Sequence, residues 1–303
     1  MSVPISILFA TAQRPQLVKR TLTSLLSAEQ PSQLKGIWVV ENGTRTGVEQ
    51  IVQELASSLP VHYLFSPEPS KPAAMNLGFS HLPDSLVYLT DDDVRFYPQT
   101  LTALAAAAQD APRNSYFGGP FDVDYEESPA EWLTPLLPFS ARGWSRPTTQ
   151  PTHLPRGRFV GFNWAAYRDD LEKLAGFNPT IGPGTTADST GDESELQLRL
   201  RSHGIQSWYV PEMRLAHYVP RDRCSAEWAI DRAYRHGVGW GQIHRNSLLR
   251  PLHTIKAVCR WQWARRSRAI HQQAIAGEAA STIARFRESK WRGRLEGLRR
   301  RAA

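Results

Sequence analysis

The 303-residue chain has only two cysteines, Cys224 and Cys259, at no spacing that suits a metal site. That scarcity fits free thiols in a reducing compartment and excludes a disulfide scaffold. No run of 18 or more apolar residues occurs, so no membrane-spanning helix is expected. The start, "MSVPISILFATAQRP", has no basic segment ahead of its apolar run and no small-residue cleavage site, and it reads as a first strand rather than a secretory leader. No G-x-G-x-x-G follows that strand, which argues against a dehydrogenase. The expected location is cytoplasmic, with peripheral attachment at the inner face of the membrane as the alternative.

What is present is unevenly distributed. The formal charge is +7, yet residues 225–303 hold 17 Lys and Arg against 5 Asp and Glu, while the other 224 residues hold 19 against 24. The split predicts two regions, a mildly acidic body at 1–224 and a basic, Trp/Arg-rich helical region at 225–303.

In the body, short apolar runs alternate with helical stripes. "ISILFAT" (5–11), "GIWVVENG" (36–43), "VHYLFS" (61–66) and "SLVYLT" (85–90) read as strands. Between them, stripes begin at Pro15, near Val48 and at Lys71. This order predicts an α/β fold, a mostly parallel sheet flanked by helices. Ligands of such sheets bind beyond the carboxyl ends of the strands. Those ends carry Thr11 to Arg14, Glu41-Asn42-Gly43 and Asp91-Asp92-Asp93. Residues 111–160, rich in Pro, Trp and Arg, show little periodicity and read as a long excursion. "ESELQLRLRSHG" (193–204) reads as a helix, followed by a strand and a loop ending at His217.

Three adjacent carboxylates can simply cap a following helix. At the tip of a buried strand they suggest a cation instead. Alternation along an extended chain predicts that Asp91 and Asp93 point the same way, where they could hold Mg²⁺ or Mn²⁺ with phosphate oxygens completing the shell.

The segments "ISILFATAQRPQLVKRTLTSLL", "IWVVENGT", "KPAAMNLGF", "LVYLTDDDV", "GFNWAAYRDDLEKLAGFN", "GDESELQLRLRSHG" and "VPEMRLAH" stand in the order and rough spacing of the family 2 glycosyltransferases, which residues 3–219 resemble. The resemblance implies a GT-A fold (a Rossmann-like nucleotide-binding sheet), a nucleotide-sugar donor with uridine as the first expectation, a divalent metal, and sugar transfer with inversion. The acceptor it implies is a glycan or a lipid-linked hydroxyl, in cell-surface polysaccharide or glycoconjugate synthesis.

By the same resemblance, Thr11 and Arg14 lie near base and phosphate. Glu41 stands where the family usually has an Asp that contacts the base. Lys71 and Asn76 match the helix beside the diphosphate, and Lys71 suits phosphate as a point charge. Asp91 and Asp93 match the DXD pair, with Asp92 between them in the donor site, and His217 matches a histidine that completes the metal site. The family's Glu-Asp pair is swapped here as Asp192-Glu193. Register favours Glu193 as general base, with Asp192 as the alternative. Both could instead cap their helix, Asp192 as N-cap with Glu195 closing a capping box. Trp132, Trp144 and Trp164 are candidate sugar-stacking surfaces for the acceptor, or ordinary core aromatics.

The basic region reads as helical, with Trp228, Ile230, Tyr234 and Val238 roughly on one side. "IKAVCRWQWARRSRAI" mixes tryptophan with arginine, as interfacial helices at anionic membranes do. Its alternative is a helical subdomain with a solvated Arg face. Nucleic acid is disfavoured, because no helix-turn-helix, zinc or RNP-like motif accompanies the charge. The last stretch, "SKWRGRLEGLRRRAA", is expected to fray. Two rival functions remain: a nucleotidyltransferase, although no glycine-rich loop follows the first strand, and a non-catalytic nucleotide- or glycan-binding relative, kept open by the swapped acidic pair.

Overall fold

The computed structural model describes residues 3–273 and 277–300. The chain divides into two compact units. The first comprises Met1–Asp124, Gly143–Pro179 and Asp192–Tyr218, and the second Tyr125–Arg142, Thr180–Gly191 and Val219–Ala303.

The first unit opens with β1 (Ile5–Thr11), α1 (Pro15–Leu26), β2 (Leu34–Asn42), α2 (Val48–Leu55), β3 (Val61–Ser66), α3 (Lys71–His81) and β4 (Leu86–Leu89). It continues with β5 (Val94–Phe96), α4 (Thr100–Asp110), β6 (Ser115–Gly118) and β7 (Phe121–Tyr125), then β8 (Thr152–His153), β9 (Trp164–Tyr167) and α5 (Arg168–Lys173). α6 (Asp192–Ser202), β10 (Gln206–Tyr209) and β11 (Leu215–Val219) complete it, the strand-end residues Tyr125 and Val219 being counted with the second unit. The four alternating strands and their helices stand where the apolar runs and stripes predict them.

The main sheet runs β3-β2-β1-β4-β9-β6-β10-β8. β3, β2, β1 and β4 are parallel, whereas β9 is antiparallel to both β4 and β6. Residues 111–160 are therefore not merely an excursion, since they supply β6, β7 and β8. Every residue of β1 is buried. Ile5, Ile7 and Phe9 pack with Val18, Leu22 and Leu25 of α1, while Leu8 and Ala10 pack with Ala74, Met75 and Phe79 of α3. Period-2 alternation thus gives each face its own helix layer. Each Val, Leu, Ile, Phe or Met among them contributes about 1.5–3 kcal/mol on full burial.

A second, three-stranded sheet runs β5-β11-β7. β11 is antiparallel to β5 with His217 opposite Val94, and Tyr218 N donates to Asp93 O at 2.8 Å. This register carries a distant imidazole to the aspartate turn.

The second unit is built on α7 (Ala226–His244), α8 (Arg250–Gln273) and α9 (Glu278–Arg299). The buried face of α7 is lined by Ala229, Ala233, Gly237, Val238 and Gly241; of the four residues expected on one side only Val238 is buried, while Trp228, Ile230 and Tyr234 are half-buried. Gly293 and Gly297 of α9 answer those glycines. A Cβ on Gly293 would lie 2.2 Å from Tyr234 O, and one on Gly297 2.1 Å from Val238 O. Conversely, a Cβ on Gly237 or Gly241 would lie 2.5 Å from Lys290 O or Arg294 O. Such backbone-to-backbone packing admits no side chain. It also corrects the expected fraying of the last stretch: α9 runs to Arg299 because Leu295 and Leu298 are buried against Ala257 of α8, with Trp240, Trp261 and Trp291 packed around them. Residues 301–303 lie outside the described residues.

Candidate active site

The chain leaves β4 at Leu89, and Asp92 and Asp93 occupy a turn before β5. This corrects the simple alternation, because a turn rather than an extended strand sets the directions of the three carboxylates. Asp92 and Asp93 are buried. Thr11 Oγ1 donates to Asp92 Oδ2 at 2.5 Å. Arg14 Nη1 reaches Asp92 Oδ1 at 3.2 Å and Asp93 Oδ2 at 3.1 Å. Burial pushes the Asp92 carboxyl up to about 6; the charge of Asp93 adds to this, while Arg14 and Thr11 oppose it. The turn is tied to α1 by Thr21, whose Oγ1 lies 2.8 Å from the carbonyls of Asp92 and Val94 and accepts from Val94 N.

His217 Nε2 lies 3.5 Å from Asp93 Oδ1. Its ring stacks on Phe162, with centroids 4.3 Å apart and planes 9° from parallel. Phe162 is held in turn by Thr90 Oγ1, which donates to its carbonyl at 2.8 Å. The next residue, Asn163, is buried, accepts from Tyr88 Oη at 2.5 Å and donates to the carbonyls of Pro120 and Met213. Thr21, Phe162 and Asn163 escape a reading of the sequence for chemistry, since a hydroxyl inside a helical stripe and a "GFN" triplet announce no role alone.

Asp91 turns instead to Lys71, which donates to its Oδ1. Burial works against the Lys71 ammonium, but Asp91, Asp192 and Glu193 together hold its pKa raised. Lys71 therefore lies within electrostatic reach of both acidic clusters. Asp192 and Glu193 open α6, Asp192 buried and Glu193 half-buried. Burial pushes Glu193 up to about 8, reinforced by the charge and hydrogen bonding of Asp192 and opposed by Lys71. Glu193 also packs on the Gly161 backbone, where a Cβ would lie 3.2 Å from its Cδ. The base of α6 is clamped by Gln197, which accepts from Phe159 N at 2.8 Å and donates to Phe159 O at 3.1 Å. The capping box weighed as the alternative does not form. Asp192 is already the first helical residue, and Glu195 is drawn forward to Arg199, with Oε1 2.9 Å from Nε and Oε2 2.7 Å from Nη2.

Other expected site residues are held internally. Glu41 is fully buried; its Oε1 accepts from Thr46 N and Oγ1, and its Oε2 from Tyr63 Oη at 2.6 Å. Asn76 grips Phe177 with both ends of its amide, each at 2.8 Å. Trp164 is a core residue of β9 with no exposed face on which a sugar could stack. Trp144 is half-buried and meets Tyr209 edge-on at 5.2 Å, and Trp132 is a half-buried member of the second unit.

The family model described as Glycosyl transferase family 2 matches residues 6–175. The chain belongs to this family. It is a glycosyltransferase, and its fold is GT-A. Among solved structures it is similar to the mannosyltransferase PcManGT from Pyrobaculum calidifontis in complex with GDP-Man and Mn²⁺, at 18% identity and TM-score 0.61 over 98% of this chain and 86% of that one. It is also similar to GalNAc-T7 with UDP, GalNAc and Mn²⁺, at 16% identity and TM-score 0.56, covering 95% of this chain and 54% of that one. Residues 1–349 of S. aureus TarS match at 11% identity and TM-score 0.52, over 96% and 90% of the two chains. No curated protein matches the glycosyltransferase in sequence.

Among the described residues, no group of three or more His, Cys, Asp and Glu is gathered tightly enough to hold a metal alone. The glycosyltransferase does bring one carboxylate oxygen and one imidazole nitrogen, from Asp93 and His217, to 3.5 Å. Adjacent ligands of an octahedral ion bound at ~2.1 Å stand about 3 Å apart, so this pair fits one coordination edge. Oxygen and imidazole donors suit Mn²⁺, and the remaining positions are left for ligand oxygens.

Proposed function

We propose that this glycosyltransferase moves a sugar, with inversion, from a nucleoside-diphosphate donor, UDP-linked by first expectation, to a hydroxyl of a glycan or lipid-linked acceptor in cell-surface polysaccharide or glycoconjugate synthesis. The observation that carries this reading is Lys71, paired with Asp91 and within electrostatic reach of Asp192 and Glu193. One cation thereby links the aspartates that would face the diphosphate to the acids that would face the acceptor. The neighbours bound to GDP-Man with Mn²⁺ and to UDP with Mn²⁺ support a nucleotide-sugar donor and a divalent ion.

Asp93 and His217 would hold Mn²⁺ or Mg²⁺ together with diphosphate oxygens, with Asp91 beside them. Such an ion, when bound, offsets negative charge on the departing nucleoside diphosphate. Lys71 adds a second positive charge on the same group, already oriented by Asp91, and so needs little reorganisation as the bond breaks. Arg14 exchanges Asp92 and Asp93 for phosphate oxygens. Glu193, once ionised, takes the proton of the acceptor hydroxyl on a carboxylate oxygen. The freed oxygen pair attacks the anomeric carbon as the bond to the diphosphate oxygen breaks, and the electron pair leaves with the diphosphate. Attack from the opposite face inverts the anomeric centre. The raised pKa of Glu193 suits a base, because proton transfer is favoured when base and operating pH are close.

The test is donor turnover. UDP-sugars, then GDP- and dTDP-sugars, are incubated with Mn²⁺, and release of nucleoside diphosphate is followed by chromatography for the wild type and for Glu193→Gln. Turnover by the wild type and its loss in the variant support the reading. Nucleotide binding without turnover points to the non-catalytic relative, and pyrophosphate release from a nucleoside triphosphate with a sugar phosphate points to a nucleotidyltransferase.

A further inference from the structure

Large apolar side chains are not confined to the interior of the second unit. In α8, one face packs inward through Ala257, Val258, Trp261 and Ala264. On the opposite side Leu252 is 63% exposed, Ile255 60%, Trp263 52% and Ile270 63%. At 100° per residue, Leu252, Trp263 and Ile270 fall within about 20° of one line along the helix, and Ile255 lies about 60° to one side. The exposed Cys259 falls on the same line. The turn leading into α8 adds Leu248 at 99% and Leu249 at 54%. Single exposed apolar residues are ordinary, but a stripe of them along a 24-residue helix is not.

The stripe is also basic. Between Arg250 and Gln273 the helix has six Lys and Arg and no acid. Lys256, Arg260 and Arg266 are exposed and flank the apolar line. No helix among the described residues is long and apolar enough to cross a membrane. A helix whose outward face combines Leu, Ile and Trp with Lys and Arg has the composition of one that lies in the headgroup layer, apolar side chains down and basic ones at the phosphates.

We propose that the outward face of α8, through Leu252, Ile255, Trp263 and Ile270 with Lys256, Arg260 and Arg266, docks this glycosyltransferase on an anionic lipid bilayer. Charge complementarity selects this occupant. A second copy would bring the same basic face against itself, placing like charges opposite one another. The surface belongs to the second unit, whereas the catalytic residues belong to the first, and the proposal does not depend on the identity of donor or acceptor.

The full-length protein, labelled at Cys259 with a polarity-sensitive dye in a Cys224→Ser background, is titrated with phosphatidylcholine vesicles and with vesicles containing 30% phosphatidylglycerol. The expected result is binding to the anionic vesicles with a blue-shifted emission, weakened by salt, and little binding to the neutral ones. Ile255→Glu with Trp263→Glu, and separately Lys256→Glu with Arg260→Glu and Arg266→Glu, should each lower partitioning at least tenfold. These residues are exposed, so melting temperature and donor turnover in vesicle-free solution should stay as in the wild type. No binding to anionic vesicles would overturn the proposal. So would binding that needs the three charges but ignores Ile255 and Trp263, which would mark a surface for any polyanion. A dimer in sedimentation velocity that the Glu pair dissociates would equally overturn it.

Discussion

His217 Nε2 stands 3.5 Å from Asp93 Oδ1 although 123 residues separate the two in sequence, because β11 pairs with β5 in a register that sets His217 opposite Val94. The ring is stacked on Phe162, which fixes its orientation toward Asp93. On the proposed mechanism, Asp93→Asn and His217→Ala each lower donor turnover on the order of 10²–10³-fold. Both should raise the Mn²⁺ concentration needed for half-maximal rate, as read from metal titrations of turnover. A rate unchanged in both variants would remove the pair from the site.

Arg14 bridges Asp92 and Asp93 and offsets part of their charge. Arg14→Ala should therefore bind Mn²⁺ alone more tightly than the wild type and bind the nucleoside diphosphate more weakly. Isothermal titration of each ligand separately would read the two opposite shifts. A parallel loss of both would mean that Arg14 only supports the turn.

Glu193 gives the pH dependence its sign. Burial raises its pKa to about 8, so below that pH the base carries its proton. The kcat/KM for the donor at saturating acceptor should rise with pH up to about 8 and then level, and Glu193→Gln should abolish that limb. Stability runs the other way. The folded protein holds this proton more tightly than the unfolded chain, so the contribution of Glu193 to stability is present below pH ~4.5 and is lost as pH rises through about 8. Glu193→Gln should accordingly melt higher than the wild type at pH 9 and show no such advantage at pH 4.

The glycine contacts of α7 and α9 make a separate claim about stability. Gly293→Leu or Gly297→Leu drives a side chain into the backbone of α7 and should cost at least the 1–3 kcal/mol typical of overpacking. The exposed Gln262→Leu on α8 should stay within about 0.5 kcal/mol. Urea denaturation separates these outcomes.

The alternating strands and helices up to β4 were legible because each element declares itself locally, by a run, a stripe or a proline. β9 inserts antiparallel between β4 and β6, and nothing in "WAAY" tells which strands will flank it. Strand partners are chosen by distant surfaces. In the same way, the end of α9 looked like a charged tail because Leu295 and Leu298 stand alone among arginines and the close contacts beside them are made by Gly293 and Gly297, which carry no apolar signal. At the site, the acids, Lys71 and His217 could be found as candidate chemistry. The internal commitments of Glu41 to Thr46 and Tyr63, and of Asn76 to Phe177, could not, since a carboxylate or an amide serves a ligand and the fold with the same atoms.

The central claim is that a divalent ion gripped by Asp93 and His217 is what lets this chain hold a nucleoside diphosphate. Melting curves of the wild type and of Asp93→Asn, each with UDP or GDP and with or without Mn²⁺, test it most directly, since a ligand bound to the folded state raises the midpoint. A rise of several degrees with one nucleotide plus Mn²⁺, absent without the ion and absent in the variant, is the predicted result. An equal rise without Mn²⁺, or in Asp93→Asn, would contradict it.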